Sequence, residues 1–270
     1  MRVAVVGSTG TIGRPLVEQL SRQYDVVGIA RTPPPTARNR VEWIAADATD
    51  AAAMHRALDG VDVVYHLVHS LGSGDFEVLD RAAAAAVTSA TEAGGTQQIV
   101  YLGGLGDGSG DLSPHLNSRA ETARIFAEGL VPVTTLRAAM IVGPGSAAFE
   151  TILALADVLT ALIGVCGNES TYGQSFDLGG PEVMTYRAMI ERVAQVRGKR
   201  RILIEVPFLT PRLSSLWLHL VTPARVAVAR PLVDGLRTPT VAHDDRIWKL
   251  LDVQRTTFDE AIESALLERG

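Results

Sequence analysis

Seven residues near the start of the chain have the types and spacing to hold a phosphate: Gly7-Ser8-Thr9-Gly10-Thr11-Ile12-Gly13, a Gly-x-x-Gly-x-x-Gly run. They follow the β-branched stretch Val3–Val6 and lead into a helical pattern. In that setting the first glycine allows a tight turn. The second removes a Cβ so that a pyrophosphate can approach the backbone, and the third lets helix and strand pack closely. Free N–H groups at the helix start then face the anion. A glycine pattern alone also fits an ordinary turn; the strand–turn–helix context favours dinucleotide binding. The end of the second strand decides which dinucleotide. It reads Gly28-Ile29-Ala30-Arg31, with no acid to take the ribose hydroxyls. Arg31 offers a planar cationic fork suited to a 2′-phosphate, and Arg14, just after the third glycine, adds to that pocket. NADP(H) is favoured, with NAD(H) the alternative if Arg31 is only a solvated loop residue.

These residues need a frame. Short apolar runs at 3–6, 26–29, 41–45, 63–67, 99–102 and 131–136 alternate with helical patterns near 12–22, 50–58, 75–93 and 115–129. Such alternation predicts an α/β fold, a Rossmann-type doubly wound parallel sheet with helices on both faces. Beyond about residue 145 the alternation fades, which divides the chain into a nucleotide domain over 1–145 and a smaller C-terminal substrate or lid region over 146–270, packed on the same core. In that region Thr185 opens a helix closed by Gly198, 202–206 reads as a strand, and Thr257-x-x-Glu260 is a capping box. The alanine run Ala82–Ala86 permits close packing against the sheet or against a second copy in a homodimer.

Composition narrows the class. The chain has 270 residues, 47% hydrophobic and 20% charged, enough to bury a sizeable core. A formal net charge of −5 argues against a dedicated nucleic-acid binder. The single cysteine, Cys166, excludes an internal disulfide and a thiolate-rich zinc site. His66 and His69 stand three apart without an acidic or thiol neighbour in sequence, so no metal site is expected. No signal segment and no membrane span are legible, and the expected compartment is the cytoplasm.

Further motifs fall in a set order: Asp47-Ala48 after the third strand, His66-Leu67-Val68-His69 after the fourth, Val100–Gly104 on the fifth, Leu136-Arg137 through Val142–Gly145 after the sixth, and Phe176–Pro181. With the glycine loop, this series resembles the extended and atypical short-chain dehydrogenase/reductases, most closely NmrA-like proteins and relatives of the complex I accessory subunit of this fold. The resemblance implies that Asp47 accepts from the adenine amino group and that Ala48, Leu67, Val68 and His69 line the dinucleotide groove. It places Leu102 and Gly103 under the nicotinamide ribose and Ala139, Met140 and Ile141 beside the nicotinamide.

The resemblance also exposes departures. Active members carry a Tyr-x-x-x-Lys pair and a hydroxyl at the exit of the fifth strand. Here Ser113-Pro114-His115-Leu116-Asn117-Ser118-Arg119 puts His115 at the tyrosine position and Arg119 at the lysine position, while Gly103–Gly106 has no hydroxyl. His115 can move a proton near neutral pH; Arg119 can hold ribose hydroxyls but does not shuttle protons. The longer connection of relatives before an Asp-Val-containing helix has no counterpart at 149–162, where Ile152–Ala156 runs straight into Asp157. Two functions compete. One is an NADP(H)-dependent oxidoreductase acting on an apolar carbonyl or quinone-like molecule. The other is a non-catalytic NAD(P)H-binding sensor or assembly factor whose partner is a protein.

Overall fold

The computed structural model describes residues 1–34, 41–70, 73–106, 112–139, 141–142, 153–196, 198 and 241–267. Seven strands form one parallel sheet: β1 (Arg2–Val6), β2 (Asp25–Ala30), β3 (Val41–Ala45), β4 (Val63–His66), β5 (Gln98–Gly104), β6 (Val133–Ala138) and, from the C-terminal part, β9 (Ser175–Leu178). Their spatial order is β3-β2-β1-β4-β5-β6-β9. The chain starts at β1, winds outward through β2 and β3, then returns to place β4 on the other side of β1. Ligands bind at such a reversal, outside the carboxyl ends of the strands. Two short strands, β7 (Ile141–Val142) and β8 (Leu153–Ala154), pair separately.

Period-two alternation buries both faces. Val3 and Val5 point into one apolar layer with helix α1 (Gly13–Leu20) and helix α5 (Leu155–Gly164). Ala4 and Val6 point into the other, against helix α2 (Ala51–Ala57) and helix α3 (Phe76–Gly94). Helix α4 (Pro114–Glu128) joins that second layer through Phe126. Each fully buried large side chain, such as Leu16, Ile29 or Leu136, contributes roughly 1.5–3 kcal/mol over leaving it in water. The Ala82–Ala86 run is spent partly inside: Ala83, Ala84 and Ala86 are buried in the second layer, which accounts for their size without a second copy.

The later elements have named ties. Helix α6 (Tyr186–Val196) starts at Thr185, whose Oγ1 accepts from Ala188 N at 3.3 Å, and Gly198 follows it. Helix α7 (Arg246–Leu250) leads to helix α8 (Phe258–Leu267). At the head of α8, Thr257 N donates to Glu260 Oε2 (2.8 Å) and Glu260 N to Thr257 Oγ1 (3.4 Å), the reciprocal box its sequence announces. Buried Asp157 on α5 accepts from Thr256 N (2.9 Å) and Thr256 Oγ1 (2.7 Å), fastening this end to the helix that packs on the sheet. The strand expected at 202–206 lies outside the described residues. Among the described residues no helix is long and apolar enough to cross a membrane.

Candidate nucleotide site and proton chain

The β1–α1 turn is built on two glycines. Gly7 has φ +93°, a conformation that L side chains rarely adopt. A Cβ on Gly13 would stand 2.2 Å from Gly7 O and 2.9 Å from Ser8 Cα, so helix and strand meet only because none is there. Ser8 works inward: its N–H and hydroxyl both donate to Ile29 O (3.2 and 2.9 Å), which ties the loop to β2 and leaves neither for a ligand. Gly10 N closes on Gly7 O at 3.1 Å. The first turn of α1 has no side-chain cap and no acid. A helix start left open in this way is complementary to an anion.

Above the turn lies a cleft of about 490 Å³ at the carboxyl ends of β1, β2 and β4. Gly7, Thr9 and Gly10 floor it, Arg31, Asp47 and Ala48 form one side, and Leu67, Val68 and His69 form the other. Asp47 is shaped by Thr49, whose N–H and hydroxyl donate to its Oδ1 at 2.9 and 2.8 Å. Those bonds, with a smaller effect of Arg31, hold its carboxyl below the usual range. The pocket and the close-packed glycine turn fit a dinucleotide: the turn at Thr9 and Gly10 would take the pyrophosphate, Arg31 and Asp47 the adenosine end, and the β4 exit the remainder.

Behind the β4 exit runs a chain of titratable groups. His69 Nδ1 lies 2.9 Å from Asp80 Oδ2, and His69 Nε2 lies 3.0 Å from His115 Nδ1. The two imidazoles sit with centroids 4.7 Å apart. Asp80, on α3 and only 3% exposed, also accepts from Ser70 N (2.8 Å) and Ser118 Oγ (2.9 Å). Burial works to raise its pKa, but the hydrogen bond and charge of His69 and the Ser70 and Ser118 donors outweigh it and hold Asp80 at about 2. Burial pushes His69 down, and burial with the nearby His69 and Arg119 brings His115 to about 3. Arg119 donates to Leu102 O at 2.5 Å and lies 5.4 Å over the Tyr101 ring, so its charge is pinned at the β5 exit.

A family model described as NAD(P)H-binding matches residues 7–134, which hold the cleft apart from Val6 and all of this chain of groups. Residues 7–134 are an NAD(P)H-binding domain. The fold agrees. A Citrobacter sp. triphenylmethane reductase superposes with TM-score 0.81 at 17% identity, covering 99% of this chain and 100% of that one. The same enzyme complexed with NADP(H) gives 0.78 at 17% identity, covering 97% and 99%. A nucleoside-diphosphate-sugar epimerase from Staphylococcus aureus gives 0.77 at 15% identity, covering 97% and 100%. The likeness of the motifs to extended and atypical short-chain dehydrogenase/reductases thus holds for the fold.

In sequence, an uncharacterised protein of Mycobacterium tuberculosis is 40% identical over 102 residues, 37% of this chain and 12% of its own length. The chain therefore matches only about an eighth of that relative. A (4-alkanoyl-5-oxo-2,5-dihydrofuran-3-yl)methyl phosphate reductase of Streptomyces griseus is 26% identical over 217 residues, 73% of this chain and 74% of that one.

The NAD(P)H-binding domain does not gather every residue its motifs suggest. Thr11, Ile12 and Gly13 shape the head of α1 without lining the cleft, and Arg14 lies on the exposed face of that helix, also outside the lining. Leu102 is buried in the first apolar layer, Gly103 has the Tyr101 ring 3.1 Å from where a Cβ would be, and Ala139 N donates to Leu178 O. Ile141 opens β7, and Met140 lies outside the described residues. Among the described residues no group of His, Cys, Asp and Glu is placed to hold a metal. Burial raises the Cys166 thiol to about 11, against a nucleophile there. His66 is buried edge-on to Phe126 at 5.0 Å with Nδ1 unpartnered, outside the hydrogen bonds of the chain.

The motifs missed Asp80, Ser70 and Ser118. One signal was available: Asp80 is a carboxylate on the same stripe of α3 as Ala83, Ala84 and Val87, all buried. An acid on an apolar face requires a partner.

Proposed function

We propose that this chain is an NADP(H)-dependent reductase for an apolar carbonyl or quinone-like small molecule, with His115 as its proton carrier. The observation that carries the reading is the 3.0 Å contact between His115 and His69, a residue of the cleft wall. That contact supports the reading because it joins a titratable group, at the position where the resembled family has its tyrosine, to the cleft wall. When bound, the nicotinamide supplies or takes a hydride. His115 supplies or takes the proton that leaves the substrate oxygen neutral. Arg119 keeps its guanidinium at the β5 exit and offers its other N–H groups to ribose hydroxyls. Arg31 receives the 2′-phosphate and so sets the preference for NADP(H). The reductase activities named for the Streptomyces and Citrobacter proteins favour the same class of reaction. A protein-facing sensor is the second reading, favoured by the neutral state in which burial keeps His115.

The assay is loss of NADPH absorbance with menadione and a panel of apolar aldehydes and ketones, for the wild type and His115→Ala. The reading requires turnover in the wild type and its loss in the variant, with NADPH binding retained. Binding without turnover on any compound turns the assignment toward the sensor.

A further inference from the structure

Resting on His115 as the proton carrier, we propose that Asp80 and His69 are positioning residues that fix which nitrogen of His115 carries the proton. The inference follows from hydrogen-bond capacity. An ionised carboxylate has only acceptors, and a neutral imidazole has one donor and one acceptor. Asp80 is boxed by Ser70 N, Ser118 Oγ and His69 Nδ1, at 2.8, 2.9 and 2.9 Å. His69 must therefore carry its proton on Nδ1, and its Nε2 is an acceptor. The atom 3.0 Å from that acceptor is His115 Nδ1, which must donate. The proton of His115 is thus on Nδ1, and Nε2, which has no hydrogen-bond partner among the described residues, is left with a bare lone pair. That nitrogen is the base.

Three elements hold the arrangement. His69 and Ser70 follow β4, Asp80 stands on α3, and His115 and Ser118 lie one turn apart on α4. The charged and titratable groups that face it are Arg119 from α4, His66 from β4 and Tyr101 from β5; the Phe76 ring from α3 lies edge-on to His69 at 6.5 Å. Burial and the Arg119 charge keep both chain imidazoles neutral, while Asp80 stays ionised. A proton taken at His115 Nε2 makes an imidazolium. Its Nδ1 proton can then pass to His69 Nε2 as the proton on His69 Nδ1 leans toward Asp80. No proton is lost, and the positive charge ends beside the carboxylate. Ser118 is the third support, because it occupies the Asp80 oxygen that His69 shares.

The test is a long-range 1H–15N correlation spectrum of the imidazoles in the uniformly labelled, nucleotide-free protein near neutral pH. His69 and His115 should both appear protonated at Nδ1 and bare at Nε2. In Asp80→Asn the His115 signal should lose that single tautomer and become a mixture, with the backbone amide spectrum of the sheet residues unmoved as the marker of an intact fold. His115 protonated at Nε2 in the wild type, a measurement that needs no variant, overturns the proposal. So does a folded Asp80→Asn protein with the His115 tautomer unchanged. The spectrum does not depend on turnover. Nδ1-protonated rings in a protein that reduces nothing therefore support the positioning while overturning the reductase reading.

Discussion

Replacing Arg31 with alanine takes a guanidinium from the side of the cleft that also holds Asp47. If that group binds the 2′-phosphate, the loss of charge-assisted hydrogen bonds should weaken NADPH about tenfold or more and leave NADH nearly unchanged. Calorimetric titration of wild type and variant with both nucleotides reads this directly; equal losses for the two would deny Arg31 the specificity role. His115→Ala should lower kcat by about 10²- to 10⁴-fold, the usual range for general acid–base catalysis. With His115 at about 3, reduction draws on a protonated ring that grows scarcer as pH rises. Its kcat should therefore fall with pH across the neutral range, while alcohol oxidation, which needs the bare ring, should not. A reduction rate flat with pH would point to another donor. At this scale the motifs pointed to Gly7 and Arg31, which line the cleft, and to His115, which reaches its wall through His69, but also to Arg14 and Leu102, which do not line it. Asp80 escaped because its partners, His69, Ser70 and Ser118, are brought to it by the packing of α3, α4 and the β4 exit, which no local spacing records.

Among the elements, the β1–α1 unit is closely packed at its glycines. A methyl group on Gly13 meets Gly7 O at 2.2 Å, and backbone cannot rotate away as a flexible side chain would. Gly13→Ala should destabilise the protein by about 1–3 kcal/mol, the usual cost of overpacking, and displace the helix start from the cleft. A lowered thermal midpoint together with loss of nucleotide binding is the expected result; an unchanged midpoint would mean that β1 and α1 are not packed as described. The elements up to β6 were legible because apolar runs with β-branched residues alternate with helical patterns, and parallel strands buried on both faces read as continuous apolar runs. The last strand of the sheet was not. β9 is only Ser175-Phe176-Asp177-Leu178, and the register that pairs it with Thr135–Ala138 of β6 is a long-range choice. It also shows that the sheet does not end with the first 145 residues: its seventh strand comes from the C-terminal part.

For the molecule as a whole, stability and pH are linked through the same buried groups. His66, His69 and His115 all have folded pKa values below the ordinary 6.5, chiefly through burial. As pH falls below about 6.5 the unfolded chain takes up protons that the folded chain refuses, so stability is lost progressively toward about 3. Asp80, at about 2 against an ordinary 3.8, contributes stability above 3.8 that is lost as pH drops toward 2. Both effects have the same sign. The urea midpoint should therefore be lower at pH ~5 than at pH ~8, and His66→Phe, which removes one of these rings without breaking a hydrogen bond among Asp80, His69 and His115, should remove part of that difference. An equal midpoint at both pH values would mean that these rings are open to water.

We propose that the cleft takes NADP(H). The measurement that tests it most directly is a calorimetric titration of the purified protein with NADPH, NADP⁺, NADH and NAD⁺. If the added phosphate sits on Arg31, NADPH should bind about tenfold or more tighter than NADH. Equal affinity for the two, or no binding of any of the four, would contradict it.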